Sequence, residues 1–534
     1  MKNLFPPKPR ALGSGALFAA NLLALVMVTA VQAEERVFFA FDDESIPWRD
    51  NLKLTLEKPK KHPANPVLSA GPLGSVDGWG AILYGTVIKE GDKFRMWYIA
   101  WPQPDKLQPQ RYYRPVAYAE SRDGVKWEKP ALGLVDFRGS KQNNLVKIEP
   151  ADEPFARTND FVSVIRDDED PDPARRYKMA YIIYSQTDGF STTATAVSPD
   201  GLRWNLANTR PFTKGHFENT SLTRFRGTYY LTGQNVGRIG GHLPDGRDAG
   251  RAMSAFFSPD FIHWSGGRAL SFFRSHVTPA PENLGQELHM GAGIWNRGNV
   301  IIGLYGRWYG ETLSTAPEHK KIAPLYGLTA ELGLVISNDA IHYREPVQNF
   351  IVVPRGGENE WDSEALLQAQ AFHNTDTETL IWYSHWNPRR PYPETPIPAK
   401  VEGKPMGIGL LTMRRDGFGF LSKQRTEINL ARGQQRRDAE ASVLTAKVNL
   451  PKAGKLFLNI DGVTSEQPLK ISIVDDFEKN LPGTKTVMVT QSGVRVPVSV
   501  GLGELPRQTP FRVRVEWPGG AANPRLYAIY LGGE

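Results

Sequence analysis

One seven-residue pattern recurs five times along the chain and leaves little freedom in what the chain can fold into. Ser121-Arg122-Asp123-Gly124-Val125-Lys126-Trp127 returns as Ser198-Pro199-Asp200-Gly201-Leu202-Arg203-Trp204 and as Ser258-Pro259-Asp260-Phe261-Ile262-His263-Trp264. Two looser copies follow, Ser337-Asn338-Asp339-Ala340-Ile341-His342-Tyr343 and Arg414-Arg415-Asp416-Gly417-Phe418-Gly419-Phe420. Successive aspartates stand 77, 60, 79 and 77 residues apart. A period of this length marks units that bury their apolar faces only against one another.

The first three full copies and the fourth follow extended apolar or aromatic runs, for example 116–120, 193–197 and 333–336, each preceded by a second run such as 94–98, 177–184, 228–232, 300–305 and 379–383. The aspartate can close a turn on its own backbone, the glycine accepts positive φ, and the final aromatic opens the next strand. The boxes are therefore read as structural. A unit of about 73 residues with roughly four strands is a propeller blade with generous loops. The expectation is an all-β fold: a five-bladed β-propeller filling 81–421. Beyond 422 the texture changes to a polar, basic stretch and then to alternating runs at 444–450, 455–460, 469–474, 495–500, 511–517 and 525–531, the signature of a β-sandwich. The resulting plan is a leader at 1–33, a propeller at 34–422, a linker at 423–440 and a sandwich at 441–534.

The leader has Lys2, Lys8 and Arg10, an apolar run over 16–31, and Val31-Gln32-Ala33 ahead of Glu34, the layout of a secretory signal. The expected location is secreted or periplasmic, with membrane attachment only if the leader stays uncleaved, since about 20 apolar residues can span a bilayer. The formal charge of +7 is modest for 534 residues and includes the leader's three basic groups, so no nucleic-acid partner is implied. Cysteine is absent, which excludes disulfides, thiol nucleophiles and thiolate metal sites. There is no G-x-S-x-G elbow, H-E-x-x-H helix or phosphate loop. No cofactor is implied; a structural calcium ion in the channel has no motif of its own.

In a propeller the innermost strand of every blade runs beside the axis, so residues at the same end of these strands converge. Ahead of the first strands at 81–87, 161–165, 220–225, 290–295 and 366–372 stand Asp77, Asp160, Glu218, Glu287 and Asp362 with Glu364. Any one of these is equally well an exposed loop residue. Five together would repel one another unless protonated, paired or used in chemistry. Glycosidic cleavage needs a carboxylic acid to protonate the leaving oxygen and a second carboxylate to attack or to activate water. The assignment is Asp77 as nucleophile or base, Glu218 as general acid and Asp160 as a third carboxylate that orients the sugar or tunes the acid. Glu287 and Asp362 join Trp79, Trp386 and His289 as expected substrate contacts, the tryptophans offering flat apolar faces to a sugar ring. His385 is a similar case to His289.

With one acid from each of the first three blades, the chain resembles the five-bladed propeller glycosidases, the invertase and levanase group (family 32) and the arabinanase group (family 43). The propeller-plus-sandwich layout is similar to the invertase group over most of the mature chain. The resemblance implies acid roles for Asp77, Asp160 and Glu218 and a carbohydrate substrate. The motifs differ: Ser75-Val76-Asp77-Gly78-Trp79 stands where the invertases have Asn-Asp-Pro, Thr158-Asn159-Asp160-Phe161 where they have Arg-Asp-Pro, and Glu218-Asn219-Thr220 where they have Glu-Cys. The expected function is hydrolysis of a glycosidic bond in an extracellular poly- or oligosaccharide. The alternatives are a noncatalytic glycan-binding propeller and a sialidase-like glycosidase, whose arginine cluster would be drawn from Arg157, Arg224, Arg238 and Arg307.

Overall fold

The computed structural model describes residues 35–103, 114–149, 158–184, 191–208, 217–235, 251–274, 285–309, 327–389, 404–424, 441–449, 454–506, 508–517 and 523–532. The leader and nearly all of the expected linker lie outside the described residues. The described chain is all-β: its only helical elements are single 3-10 turns at Pro173–Arg175 and Leu502–Glu504.

Four inner strands, Gly80–Glu90, Thr158–Arg166, Phe217–Phe225 and Gly285–Asn296, each start an antiparallel sheet. The first pairs with Lys93–Trp101 and then Val116–Ser121; the second leads through Tyr177–Tyr184 and Ser191–Ser198 to Arg203–Asn208. The third leads through Thr228–Asn235 and Met253–Ser258 to Ala269–Phe272, and the fourth through Ile301–Tyr309 to Thr329–Ser337. A fifth inner segment, Ala365–Leu367 and the residues up to Phe372–Asn374, pairs with Glu378–Trp386, which pairs with Gly407–Arg414.

A recurring side-chain latch joins the inner strands to one another. Thr86 Oγ1 accepts from Val164 N at 2.9 Å, Ser163 Oγ from Leu222 N at 2.8 Å, and Ser221 Oγ from Ile294 N at 3.1 Å. Each hydroxyl thereby satisfies a backbone donor that no sheet ladder reaches. The fifth segment returns to the first strand, with Gln370 N donating to Gly85 O at 3.0 Å and Val87 N to Gln370 O at 3.2 Å. A cavity of about 290 Å³ is lined by residues of all five segments, among them Thr86, Val164, Thr223, Ile294 and Gln370. The sheets therefore stand around a common axis. The chain before the first inner strand completes the circle, since Lys60–Lys61 and Leu68–Ser69 pair with Gly407–Arg414.

The repeated boxes are the turns that the sequence implies. Asp123 Oδ1 accepts from Val125 N at 2.9 Å and Lys126 N at 2.7 Å, and Asp200, Asp260 and Asp339 do the same for the residues that follow them. The glycine also ties neighbouring sheets. Gly201 O accepts Trp204 Nε1 from its own box and Trp97 Nε1 from the preceding sheet, at 3.0 and 2.7 Å, and Gly124 O likewise accepts Trp127 and Trp382 at 3.0 and 2.9 Å. The fifth copy departs from the pattern. Asp416 is fully buried and is held by Arg297, Asn374 and Tyr530, so it links the fourth and fifth sheets to the C-terminal part of the chain.

The C-terminal strands form two sheets facing one core that includes Val443, Leu458, Ile471, Val513, Trp517 and Ile529. The boundary drawn from the sequence at 423–440 does not follow the strand pairing. Arg36–Phe39 pairs with Arg525–Leu531, Trp48–Asp50 with Ala441–Leu444, and Leu52–Leu56 with Gly419–Lys423, which itself touches Arg525–Leu531. Residues 36–56, expected to belong to the propeller portion, thus supply strands to these two C-terminal sheets. Alternation along a strand fixes which face it buries and leaves its partner open.

Candidate active site

The six expected carboxylates enter the structure in different states. Asp77 precedes the first inner strand and is 1% exposed. Its Oδ2 accepts from Tyr98 OH at 2.8 Å and lies 2.5 Å from Lys129 Nζ, while Oδ1 accepts from Ser75 Oγ and Gly71 N, both at 3.2 Å. Asp362 repeats the arrangement in the fifth sheet: it is fully buried, with Tyr383 OH at 2.7 Å and Lys61 Nζ at 2.8 Å. Burial, followed by the adjacent carboxylate, raises the hydroxyl pKa of both Tyr98 and Tyr383, so each phenol remains a donor. These two aspartates are compensated buried ions, not open catalytic groups. Trp79, next to Asp77, is also in the core, packed with Trp101 and Ile82.

Glu364 is 3% exposed and receives His385 Nε2 at 2.7 Å. Burial alone would raise its pKa, but the hydrogen bond and charge of His385, with help from Arg389, leave it below the usual carboxylate value. The other ring nitrogen of His385 faces Pro405 O at 3.2 Å, so the imidazole spans two oxygen acceptors.

Glu218 differs from these. It lies in the third inner strand, is half-buried, and one carboxylate oxygen accepts Gln234 Nε2 at 3.1 Å. The opposite end of Gln234, Oε1, accepts Met290 N at 2.7 Å, so one buried amide joins Glu218 to the fourth inner strand beside His289. Asp160 and Glu287 belong to the strands Thr158–Arg166 and Gly285–Asn296. Their side chains lie outside the described residues.

The inner strands are irregular at this level. Register shifts fall between Ile82 and Thr86, Thr158 and Val162, Asn219 and Ser221, and His289 and Ala292, and Phe161 and Met290 adopt φ of 64° and 67°. Bulges re-aim side chains beside functional sites, and positive φ in a bulky residue persists only where its surroundings impose it. The re-aimed side chains form an aromatic wall. Tyr84 lies 4.0 Å from Phe161 between ring centroids, and its hydroxyl is 3.4 Å from His289 Nδ1. His289 lies 4.3 Å from the Trp308 ring, which is followed by Trp386 at 6.3 Å. Arg251 caps Trp308 at 4.7 Å in a cation–π contact. Burial, then the Arg251 charge, depresses the His289 pKa well below the usual value, so its imidazole is neutral.

Two further polar groups are buried at this level without partners among the described residues, Thr220 Oγ1 and Gln368 Oε1, although Gln368 Nε2 donates to His289 O and Gly291 O at 2.7 Å each. Among the described residues, no three His, Asp or Glu side chains are grouped so as to hold a metal ion. The arrangement thus offers a half-exposed carboxylate held by an amide, a neutral imidazole and a wall of rings. Of the expected substrate contacts, His289 and Trp386 are brought together here and Trp79 is buried in the same core as Tyr84 and Phe161, whereas Asp362 is held elsewhere by burial and ion pairing, as is Asp77, expected as a catalytic group. Sequence reasoning passed over Tyr84, Gln234, Arg251 and Gln368, since each lies within or beside a strand run with no motif around it.

No family model matches the chain, and no curated protein matches it. Solved structures do. An N-acetylgalactosamine deacetylase from F. plautii, solved with blood group B trisaccharide, is 14% identical with a TM-score of 0.42, over 65% of this chain and 96% of its own. A thermostable family-43 glycoside hydrolase is 13% identical with a TM-score of 0.37, over 65% and 92%. A family-43 arabinoxylan arabinofuranohydrolase from Bacillus subtilis, in complex with cellotetraose, is 12% identical with a TM-score of 0.35, over 90% and 99%.

Proposed function

We propose that this chain is an exported glycoside hydrolase, secreted or periplasmic, built as a five-bladed β-propeller with a β-sandwich, and that it cleaves a glycosidic bond at the axis. The single observation that carries this reading is Glu218. It is the described axial carboxylate that is half-exposed, it accepts a hydrogen bond from Gln234, and it stands one amide away from the wall of His289, Trp308 and Trp386. The five inner segments that line one cavity and the closing Gln370–Gly85 bridge support the blade count. Rings of this kind stack on the apolar face of a sugar, leaving its hydroxyls to polar groups.

In this mechanism Glu218 protonates the leaving oxygen as general acid, and Gln234, bonded to one of its oxygens, orients the other. Asp160, on the neighbouring inner strand, is the second carboxylate; it takes the role expected of Asp77, which is closed by Lys129. Neutral His289 packs under the sugar and donates or accepts a hydrogen bond without adding charge. The test is reducing-sugar release from a panel of plant, algal and bacterial glycans by the wild type beside Glu218→Gln and Asp160→Asn. Loss of release in both variants, with folding intact, supports the assignment; release that neither variant changes overturns it.

The ion pairing of Asp77 and Asp362 favours a second reading, a noncatalytic glycan-binding propeller that uses the same aromatic wall. Glycan binding by the wild type with no release on the whole panel would select it.

A further inference from the structure

The bulge that carries His289 is held from two sides by buried glutamines, of which Gln234 alone is bonded to Glu218. The fourth inner strand slips its register here: His289 pairs with Gly306 and Ala292 with Tyr305, while Met290 and Gly291 have no register partner. Both of these residues stand in the left-handed region, with φ of 67° and 86°. A bulge takes backbone groups out of the ladder, and buried ones need new partners. Gln234, 1% exposed, supplies one by accepting Met290 N at 2.7 Å. Gln368, equally buried and reaching over from the fifth inner segment, supplies two: its Nε2 donates to His289 O and to Gly291 O, at 2.7 Å each.

This pair of acceptors fixes how Gln368 is turned. Within its amide only the nitrogen donates, so the oxygen points away and has no partner among the described residues. The space is equally tight, since a Cβ at Gly306 would lie 3.0 Å from both Gln368 Oε1 and His289 Cβ. The clamped backbone carries the His289 ring, which lies 4.3 Å from Trp308 and places Nδ1 3.4 Å from Tyr84 OH. Gln370, two residues on, is bonded as richly but elsewhere, to Leu222 N, Leu222 O and Ser163 Oγ on the third and second inner strands.

We propose that Gln368 is a positioning residue for the axial site: by clamping the carbonyls on either side of Met290 it sets where the His289 imidazole meets the sugar. The sugar contact rests on the axial reading above; the placement of His289 does not. A contact made equally in the ground and transition states changes KM and leaves kcat. The two glutamines of one bulge therefore divide the work, Gln368 serving binding through His289 and Gln234 serving chemistry through Glu218.

The experiment compares Gln368→Leu, Gln368→Glu and Gln370→Leu by steady-state kinetics on a glycan that the wild type cleaves, and by NMR of protein labelled with 15N-histidine, the His289 signal being assigned with His289→Gln. Gln368→Leu should raise KM at least about fivefold, the scale of one lost hydrogen bond, with kcat changed less than about twofold, and should move the His289 signal. Gln370→Leu is the control for a merely structural tie and should change neither KM nor that signal. In Gln368→Glu a protonated carboxyl can still donate to one carbonyl, so its KM relative to wild type should fall as pH is lowered; this variant also carries the test if Gln368→Leu does not fold. An unmoved His289 signal, an unchanged KM, or the same changes in Gln370→Leu would each overturn the proposal. No release by the wild type would sink the axial reading instead, and the His289 signal alone would then decide whether Gln368 places the ring.

Discussion

Lys129 closes over Asp77 with Nζ 2.5 Å from Oδ2, so the first of the acids expected to do chemistry already has a cation of its own. Removing one partner of a buried ion pair costs about 3–5 kcal/mol, and less where one partner reaches solvent. Lys129 is 26% exposed, so Asp77→Asn is expected to lower unfolding stability by about 2–3 kcal/mol in urea titrations, in line with that reduced range. Hydrolysis measured well below the melting temperature should fall less than tenfold. A large loss of hydrolysis with unchanged stability would return Asp77 to the catalytic set.

Glu218 should behave in the opposite way. General acid catalysis contributes about 10²–10⁴-fold, so Glu218→Gln is expected to lower kcat by at least about 100-fold with little change in unfolding midpoint. Gln234→Leu removes the amide that spans Glu218 and Met290 N, and should lower kcat while moving the alkaline limb of the pH profile, which a general acid sets by losing its proton. A change in stability with an unmoved pH profile would make Gln234 only a strand tie.

His289 sets a pH dependence of stability. Its folded pKa is depressed by burial and by Arg251, whereas an unfolded histidine titrates near about 6.5. Below that pH the unfolded chain takes up a proton that the folded site refuses, so this stabilisation is complete above about pH 6.5 and declines as pH falls. Thermal melts between pH 7.5 and 5 should show the decline, and His289→Gln should flatten it. An equal slope in the variant would assign the dependence to other groups.

Gly201 adopts φ of 75°, and a Cβ placed there would lie 2.7 Å from Trp97 Cζ2. Alanine must therefore accept both left-handed strain and an overlap with the neighbouring sheet. Gly201→Ala is expected to destabilise by about 2–4 kcal/mol, the sum of positive-φ strain and core overpacking. Gly133→Ala is the control: its φ is 70° but no atom lies within 4 Å of the new Cβ, and it should show the strain alone. Chemical denaturation of the two variants separates the terms.

What the sequence made legible follows the range of the interactions involved. The box aspartates act on amides two and three residues away, so four of the five turns follow directly from local chemistry. The fifth does not, because Asp416 spends its oxygens on Arg297 and Tyr530, 119 and 114 residues away. The acids ahead of the inner strands were visible as a set, but their states were not. The lysine that closes Asp77 is 52 residues away and the one that closes Asp362 is 301 residues away. Alternation revealed the strands at 444–531, yet it carries no sign that Arg36–Phe39 and Leu52–Leu56 join their sheets. Gln234 is found only through its two hydrogen bonds, since a glutamine within a strand run looks like a solvated side chain.

The pairing of Arg36–Phe39 with Arg525–Leu531 also bears on how the molecule is made. A chain synthesised from its N-terminus presents this first strand hundreds of residues before its partner exists, and such long-range closure is slow. The leading segment must therefore wait, unpaired, until the final strand emerges to clasp it. Deleting 525–531 should then reach beyond the C-terminal strands: it would strip Val37, Phe38 and Phe39 of the strand they pair with. A nascent chain stalled short of that strand would be a client for chaperones, however complete its repeats.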